Sequence, residues 1–148
     1  MKKILLLLII VSFIGCKNNI KDDAKSINSS TRPDSELAQL ILQEGDSSAY
    51  YELSMQYLDY GYERFLPFAL IMANKYDYQQ AYFDVFSCLT DIYYGDIAKI
   101  DDKTATMAIE YLFQANEKGH HQANEIVQEY NVDIKKNSKQ QIMKIFKE

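Results

Sequence analysis

The chain of 148 residues has little of several residue types, and each shortage argues against a class of protein. It has two cysteines, too few for the disulfide framework that supports many small secreted proteins. It has two histidines, no glycine-rich phosphate loop, and no serine and histidine arranged as in a nucleophilic catalyst. His121 and Glu125 have an i, i+4 spacing that supplies only two ligands, which is not enough for a metal site. We therefore expect a protein that is not an enzyme and that binds no metal or cofactor.

Basic residues are also scarce where they would matter for nucleic-acid binding. The chain has 16 Lys and Arg against 21 Asp and Glu. Residues 36–130 contain 16 acidic and 5 basic residues, a local net charge of −11. Nucleic-acid binding needs a clustered basic surface, so we exclude that class of partner.

No segment alternates between apolar and polar residues as a half-buried strand does, and the pattern after residue 33 is helical. Seven helices are predicted to begin near residues 34, 46, 65, 78, 102, 121 and 138. They are predicted to end near residues 45, 61, 76, 94, 118, 130 and 147. Asp34 or Ser35 and Asp46 or Ser47 are candidate N-caps, and Gly45 and Gly119 are expected to end helices in the left-handed conformation. Helix capping is also the expected role of Asp101 or Asp102.

The amino terminus carries an export signal. Lys2 and Lys3 precede an apolar run over residues 4–14, which is too short to span a bilayer, since that takes about 20 residues. The sequence Phe-Ile-Gly-Cys that ends at Cys16 resembles the lipobox of bacterial lipoproteins. The resemblance implies that residues 1–15 are removed and that Cys16 becomes lipidated. An ordinary secretory signal, or an uncleaved anchor that contains a cysteine, is the alternative.

Lipidation would fix the location of the protein. Two or more acyl chains, such as palmitate, hold a protein firmly to a membrane, whereas one chain binds reversibly. The resemblance therefore implies a lipid-anchored protein of the bacterial cell envelope, at the outer membrane. Residues 16–33 are polar and are predicted to form a flexible tether. With Cys16 committed to lipid, Cys88 has no partner, and its apolar neighbours predict a buried structural residue rather than a reactive thiol.

Part of the helical region repeats. Ala73-Asn74 and Gln80-Ala81 recur 42 residues later as Ala115-Asn116 and Gln122-Ala123, and a fainter copy lies 32 residues earlier, with Gly45 and Ala49. Offsets of this size are typical of helix-pair repeats.

One junction identifies a family. Residues 108–123 resemble the Sel-one-like repeats, relatives of the tetratricopeptide repeat, through Ala108, Tyr111, Ala115, Gly119 and Ala123. The resemblance implies an all-α fold, a short right-handed α/α solenoid of antiparallel helix pairs. We assign residues 34–131 to this repeat domain and residues 132–148 to a basic C-terminal capping helix. Asp77 occupies the position where the family's glycine is expected in the earlier copy.

All twelve tyrosines lie between Tyr50 and Tyr130, in the acidic part of the chain. One interpretation is that their rings pack inside and their hydroxyls reach the surface. The other is that some of them line a groove in which aromatic rings and carboxylates receive a basic peptide or protein. The candidates for this surface are Tyr57, Tyr60, Tyr62, Tyr93, Tyr94 and Tyr111.

Together these features predict a membrane-anchored lipoprotein whose helical repeats bind another envelope protein or peptide. The alternative is an immunity or inhibitor lipoprotein that neutralises a toxin or a hydrolase, because an acidic, tyrosine-rich surface suits that role equally well.

Overall fold

A computed structural model describes residues 32–132 and 139–148, and within these residues the regular structure is entirely helical. The lipobox, Cys16 and residues 17–31 of the tether lie outside the described residues. Three short 3₁₀ turns, Tyr62–Phe65, Asp91–Tyr93 and Ile97–Lys99, join the longer helices. The α-helices are α1 (Asp34–Glu44), α2 (Ser47–Tyr60), α3 (Leu66–Asn74), α4 (Gln79–Thr90), α5 (Asp102–Glu117), α6 (His121–Glu129) and α7 (Lys139–Lys147).

Helix ends follow from local side-chain chemistry. The Asp46 carboxylate accepts hydrogen bonds from the backbone N–H groups of Ser48 and Ala49 at 2.8 and 2.9 Å, and this caps α2. Asp101 caps α5 in the same way. Gly45 ends α1 with φ +68°, as predicted. At α1, however, the prediction of Asp34 or Ser35 as the cap is wrong, because the chain enters the helix from Pro33 in an extended conformation.

Two predicted boundaries need correction. The helix expected over residues 78–94 ends at Thr90, and the chain then tightens into the Asp91–Tyr93 turn. The helix expected from residue 65 begins at Leu66, after the Tyr62–Phe65 turn. Both differences are short 3₁₀ segments at helix ends, where a tighter turn satisfies backbone groups that the α-helix leaves unpaired.

Residues related by the sequence offsets have matching environments. Ala49, Ala81 and Ala123 are all completely buried. Ile41, Ala73 and Ala115 form a second such set, also with no exposed surface. The turn positions match as well, because Gly45, Asp77 and Gly119 have φ values of +68°, +55° and +81°. Asp77 therefore adopts the same left-handed backbone conformation as the two glycines.

The C-terminal ends of alternate helices are neighbours. The Tyr76 hydroxyl and the Lys75 ammonium, just after α3, both donate to the Leu42 carbonyl near the end of α1, at 3.0 Å. The Asp77 carboxylate, just after α3, pairs with the Lys118 ammonium, just after α5, at 2.5 Å. Helices α4 and α5 share the most extensive contact in the described residues.

The core runs through all of these helices and extends to α7. Large side chains with almost no exposed surface come from α1 to α5, and Phe65 lies at its centre with Tyr50 against it at a ring separation of 4.8 Å. At the other end, Ile142 and Phe146 of α7 are buried, and the Phe146 ring stacks on Tyr130 at 4.3 Å. Arg32, which was assigned to the tether, instead donates to the Glu52 carboxylate on α2.

Candidate functional site

The six tyrosines predicted as a binding surface lie in two places. Tyr57 and Tyr62 are half-buried and pack on Phe65, with ring centroids 5.6 and 5.7 Å from it. Tyr60 lies at the end of α2, and the Tyr62–Phe65 turn contacts the turn that contains Tyr93. Five of the six therefore lie around the end of α2 and the end of α4.

Tyr111 lies elsewhere. Its hydroxyl is hydrogen-bonded to the Asn74 side chain, with a distance of 2.7 Å between Asn74 Nδ2 and the hydroxyl oxygen, and its ring is 6.1 Å from Tyr82 near the beginning of α4. It thus lies toward the opposite end of α4 from Tyr93.

Exposure separates the first five further. Tyr60 is 65% exposed and Tyr94 is 99% exposed, and Tyr94 adopts a left-handed φ of +54° in the turn after α4. Ile92 and Leu58 are also exposed at this end. Exposed apolar residues that occur singly are normal on a monomer, but several of them at one end mark a candidate contact surface.

A pocket of about 250 Å³ lies among the first half of α2, the Tyr62–Phe65 turn and the beginning of α4, and Tyr62 is the one candidate tyrosine in its lining. Its walls are largely aromatic, and Asp84 contributes a carboxylate. The lining residues are Tyr50, Tyr51, Ser54, Tyr62, Tyr78, Gln80 and Asp84. Tyr50 is almost completely buried, whereas Tyr51 is 66% exposed, so the pocket runs from the core to the surface.

Asp84 is the central polar group of the pocket. It is 5% exposed, and its Oδ2 accepts a hydrogen bond of 2.7 Å from the Tyr50 hydroxyl. Its Oδ1 accepts one of 2.9 Å from the Gln80 amide. Burial raises the pKa of the Asp84 carboxyl above its usual range, while the bonds from Tyr50, Gln80 and Tyr62 act in the opposite direction by stabilising the charged form. The donors in these contacts are two phenols and an amide, all neutral.

Two tyrosines of the pocket, Tyr50 and Tyr62, remain hydrogen-bond donors. Burial, together with the nearby Asp84 charge, raises the pKa of Tyr50 and of Tyr62 far above the ordinary value of 10.0. Both phenols therefore keep their protons at physiological pH, and the Tyr50 hydroxyl can donate only to the carboxylate it faces.

A line of hydrogen bonds continues from Asp84 through Gln80 to His120 at the beginning of α6. His120 is 8% exposed, and its Nδ1 accepts from the Ala123 N–H at 3.4 Å, which caps α6. Because Nδ1 accepts, the proton is assigned to Nε2, which donates to Gln80 Oε1 at 2.9 Å. The Phe83 ring stacks on the imidazole at 4.4 Å. Burial lowers the pKa of His120, which agrees with a neutral ring.

The other candidate groups are the Cys88 thiol and the possible metal-ligating side chains. The Cys88 thiol is buried and donates to the Tyr62 carbonyl at 3.1 Å, and burial raises its pKa, which disfavours the reactive thiolate. In the part of the chain that the structure describes, no three His, Cys, Asp or Glu side chains are grouped to hold a metal ion.

The residues at the centre of the pocket were not among the predicted site residues. Tyr50 and Asp84 are 34 residues apart in sequence, so only tertiary packing shows that they meet. One signal was present: Asp84 lies on the same helical face as Ala81 and Cys88, which are apolar and buried. A carboxylate on a buried face needs partners there, and this marks it as unusual.

Comparisons with known proteins assign this chain to no family. No family model, no curated protein and no solved structure matches it. Among residues 32–132 and 139–148, no helix combines the length and the apolar character needed to cross a membrane.

Proposed function

We propose that this protein is a lipid-anchored lipoprotein of the bacterial envelope whose helical repeats bind another envelope protein. The observation that carries the binding role is the aromatic end of α2 and α4, where Tyr60 and Tyr94 are exposed. Tyr62 of this end also lines the tyrosine-rich pocket that contains the Asp84 carboxylate. Tyrosine provides large, rigid contact area at low cost in conformational entropy, and for this reason it is enriched at protein interfaces.

The proposed architecture is a short right-handed α/α solenoid of antiparallel helix pairs, similar to Sel-one-like repeats. Its support is the matched burial of Ala49, Ala81 and Ala123 at offsets of 32 and 42 residues. The neighbouring C-terminal ends of α1, α3 and α5 also fit this arrangement, because equivalent helices of successive repeats run side by side. α7 closes the proposed array, since Ile142 and Phe146 are buried.

The anchor is the part of the proposal that rests on the lipobox resemblance alone. Replacement of Cys16 by Ser is expected to abolish incorporation of a fatty-acid analogue and to release the protein from membranes. Cys88→Ser is the matched control: it removes the other cysteine, lies in the fold, and should leave the label in place. Label that persists in Cys16→Ser would rule out the lipid anchor.

The binding role is tested with the same membrane-attached protein. Chemical crosslinking in cells, followed by mass spectrometry, is expected to identify a specific partner of the wild-type chain. The double variant Tyr60→Ala, Tyr94→Ala should reduce that crosslink strongly. Leu42→Ala removes an exposed apolar side chain at the end of α1 and serves as the control. An equal yield from the double variant would exclude this end as the contact surface.

The inhibitor alternative uses the same aromatic, acidic surface. Its partner would be a toxin or a hydrolase, so loss of the lipoprotein should sensitise cells to the crosslinked partner. A partner whose activity is the same with and without the lipoprotein leaves the interaction module as the function.

A further inference from the structure

The pocket around Asp84 has the properties of a receptor for one organic cation. Its volume of about 250 Å³ exceeds the roughly 150 Å³ that suffices for a benzene molecule in an engineered protein cavity. It is open at Tyr51 and closed at Tyr50, so a ligand would enter with one end and leave the other end at the surface.

Within the part of the chain that the structure describes, the carboxylate in this pocket has no lysine or arginine as a countercharge. In the described residues, no Lys or Arg forms an ion pair with Asp84, and its hydrogen-bond donors are Tyr50, Gln80 and Tyr62. A carboxylate presents about four acceptor positions, so these donors leave room for a charged one. A buried carboxylate gains most from a donor that is itself charged, because such hydrogen bonds are roughly twice as strong as neutral ones.

The aromatic walls favour the same ligand. The rings of Tyr50 and Tyr78 pack edge to face, with their centroids 5.5 Å apart. Tyr51 and Tyr62 also line the pocket. An ammonium or guanidinium group near the face of an aromatic ring is attracted by its quadrupole. An aliphatic stem beside the charged head would pack on the same rings.

The molecule contains a completed version of this arrangement elsewhere. The Tyr82 hydroxyl donates to the Asp77 carboxylate at 2.7 Å, as the Tyr50 hydroxyl does to Asp84. There, the Lys118 ammonium lies 2.5 Å from the Asp77 carboxylate and 4.9 Å from the centre of the Tyr82 ring. A tyrosine–carboxylate pair of this chain thus accommodates a lysine head when one is within reach.

From these contacts we infer that the Asp84 pocket binds the cationic head of a lysine or arginine side chain presented by the partner. The inference rests on the proposed function, because it names the part of the partner that the site recognises. The Asp84 carboxylate pairs with the head, the tyrosines surround it, and Tyr51 contacts the stem at the entrance.

Titration calorimetry on the full-length protein in a nonionic detergent tests this directly. The probes are Nα-acetyl-lysine amide, Nα-acetyl-arginine amide and, as a neutral analogue of nearly the same shape, Nα-acetyl-norleucine amide. At least one of the cationic probes is expected to bind at concentrations up to about 10 mM, and the norleucine probe at least tenfold more weakly. Butylammonium forms a further arm, which distinguishes a free amine from a side chain on a peptide backbone. Butylammonium that binds more tightly than both amides would overturn the assignment to a protein side chain.

Three variants make the test specific. Asp84→Asn keeps the size of the side chain and should weaken binding at least tenfold. Tyr51→Ala removes an exposed wall without touching the hydrogen bonds of Asp84, and it should weaken binding severalfold even if Asp84→Asn fails to fold. Glu117→Gln removes one exposed charge from the end of α5 and should leave the affinity unchanged.

Besides tighter binding of butylammonium, three results would overturn the inference: no binding of either cationic probe, equal binding of the norleucine probe, or unchanged affinity in every pocket variant that folds. None of them affects the proposed function, because lipid labelling and the partner crosslink are measured separately. If the protein is lipid-labelled and crosslinks to a partner but does not bind the cationic probes, only the assignment of the pocket is wrong.

Discussion

The surroundings of His120 in the folded protein disfavour its protonation. Its Nδ1 accepts a hydrogen bond from Ala123, and protonation of that nitrogen would remove the acceptor that caps α6. Burial lowers its pKa below the ordinary value of 6.5, so the unfolded chain binds a proton more readily than the folded one. The free energy of unfolding should therefore fall as the pH falls below about 6.5 toward the lowered folded value. One proton contributes at most about 1.4 kcal/mol per pH unit.

The variant His120→Asn checks this prediction. Asparagine is a good N-cap and does not titrate, so urea unfolding of the variant should show less loss of stability between about pH 6.5 and 5 than the wild type. Gln122 is exposed on α6 and carries no titratable group, so Gln122→Ala is the control that keeps the wild-type slope. Identical slopes in the wild type and His120→Asn would mean that the imidazole protonates freely in the folded state.

At the scale of single residues, sequence patterns predicted backbone roles better than side-chain partners. Asp46, Asp101 and Gly45 were identified because capping depends on residues two to four positions away. The meeting of Tyr50 with Asp84 depends on how three elements pack, and no local rule gives it. The abundance of tyrosine left open whether the rings form the core or a binding surface. It did not distinguish Tyr62, which packs on Phe65 and also lines the pocket, from Tyr57, which packs on Phe65 and does not line it.

In the turn between α1 and α2, neighbouring atoms leave no space for a side chain at Gly45. A Cβ atom on Gly45 would lie 2.4 Å from Cδ1 of Tyr76, whose hydroxyl is held by the Leu42 carbonyl. The left-handed backbone alone costs an alanine about 1 to 2 kcal/mol. Gly45→Ala should thus lower the free energy of unfolding by more than about 2 kcal/mol, as measured by urea denaturation.

Gly95 provides the comparison. Its φ of +80° is also left-handed, but a Cβ atom there would meet nothing within 4 Å. Gly95→Ala should therefore show the backbone cost without the clash, and a loss at Gly45 no larger than that at Gly95 would contradict the steric argument.

At the scale of helices, the seven elements were predictable because helix starts and stops are marked in the sequence. The glycines after α1, α2 and α5 placed the ends of those helices closely. The Asp91–Tyr93 turn was predicted as part of the helix before it, because Ile92 continues the apolar face of α4. The other two 3₁₀ turns lie largely in segments predicted to connect helices. Residue 138, the expected start of the last helix, lies outside the described residues.

Over the whole molecule, α7 seals one end of the core. Phe146 is 4% exposed and contacts Tyr130 and Phe113. Phe146→Ala should lower the free energy of unfolding by about 3 kcal/mol, since it removes a buried ring and leaves a cavity. Lys144→Ala, on the exposed side of the same helix, should change it by less than about 0.5 kcal/mol. A small effect at Phe146 in denaturant titrations would indicate that the rest of the core forms without α7.

The charge of the whole molecule also has a measurable effect. With a local net charge of −11 over residues 36–130, association with a basic partner should be electrostatically steered. Screening over about 8 Å at physiological ionic strength means that the association rate should fall as salt rises. Surface plasmon resonance with the crosslinked partner measures this, and a rate indifferent to salt would leave the acidic residues a solubilising role alone.

The line of hydrogen bonds from Asp84 through Gln80 ends at Nε2 of His120, a nitrogen that ¹⁵N NMR spectroscopy can observe. The chain has only two histidines, so its imidazole ¹⁵N spectrum contains few signals, and His121 has no part in this line. A cation that binds at Asp84 is expected to polarise Gln80 and, through it, the Nε2–H bond of His120. The resonance of a ring that caps the next helix thus becomes an intrinsic reporter of pocket occupancy, readable without attaching a label near the ligand.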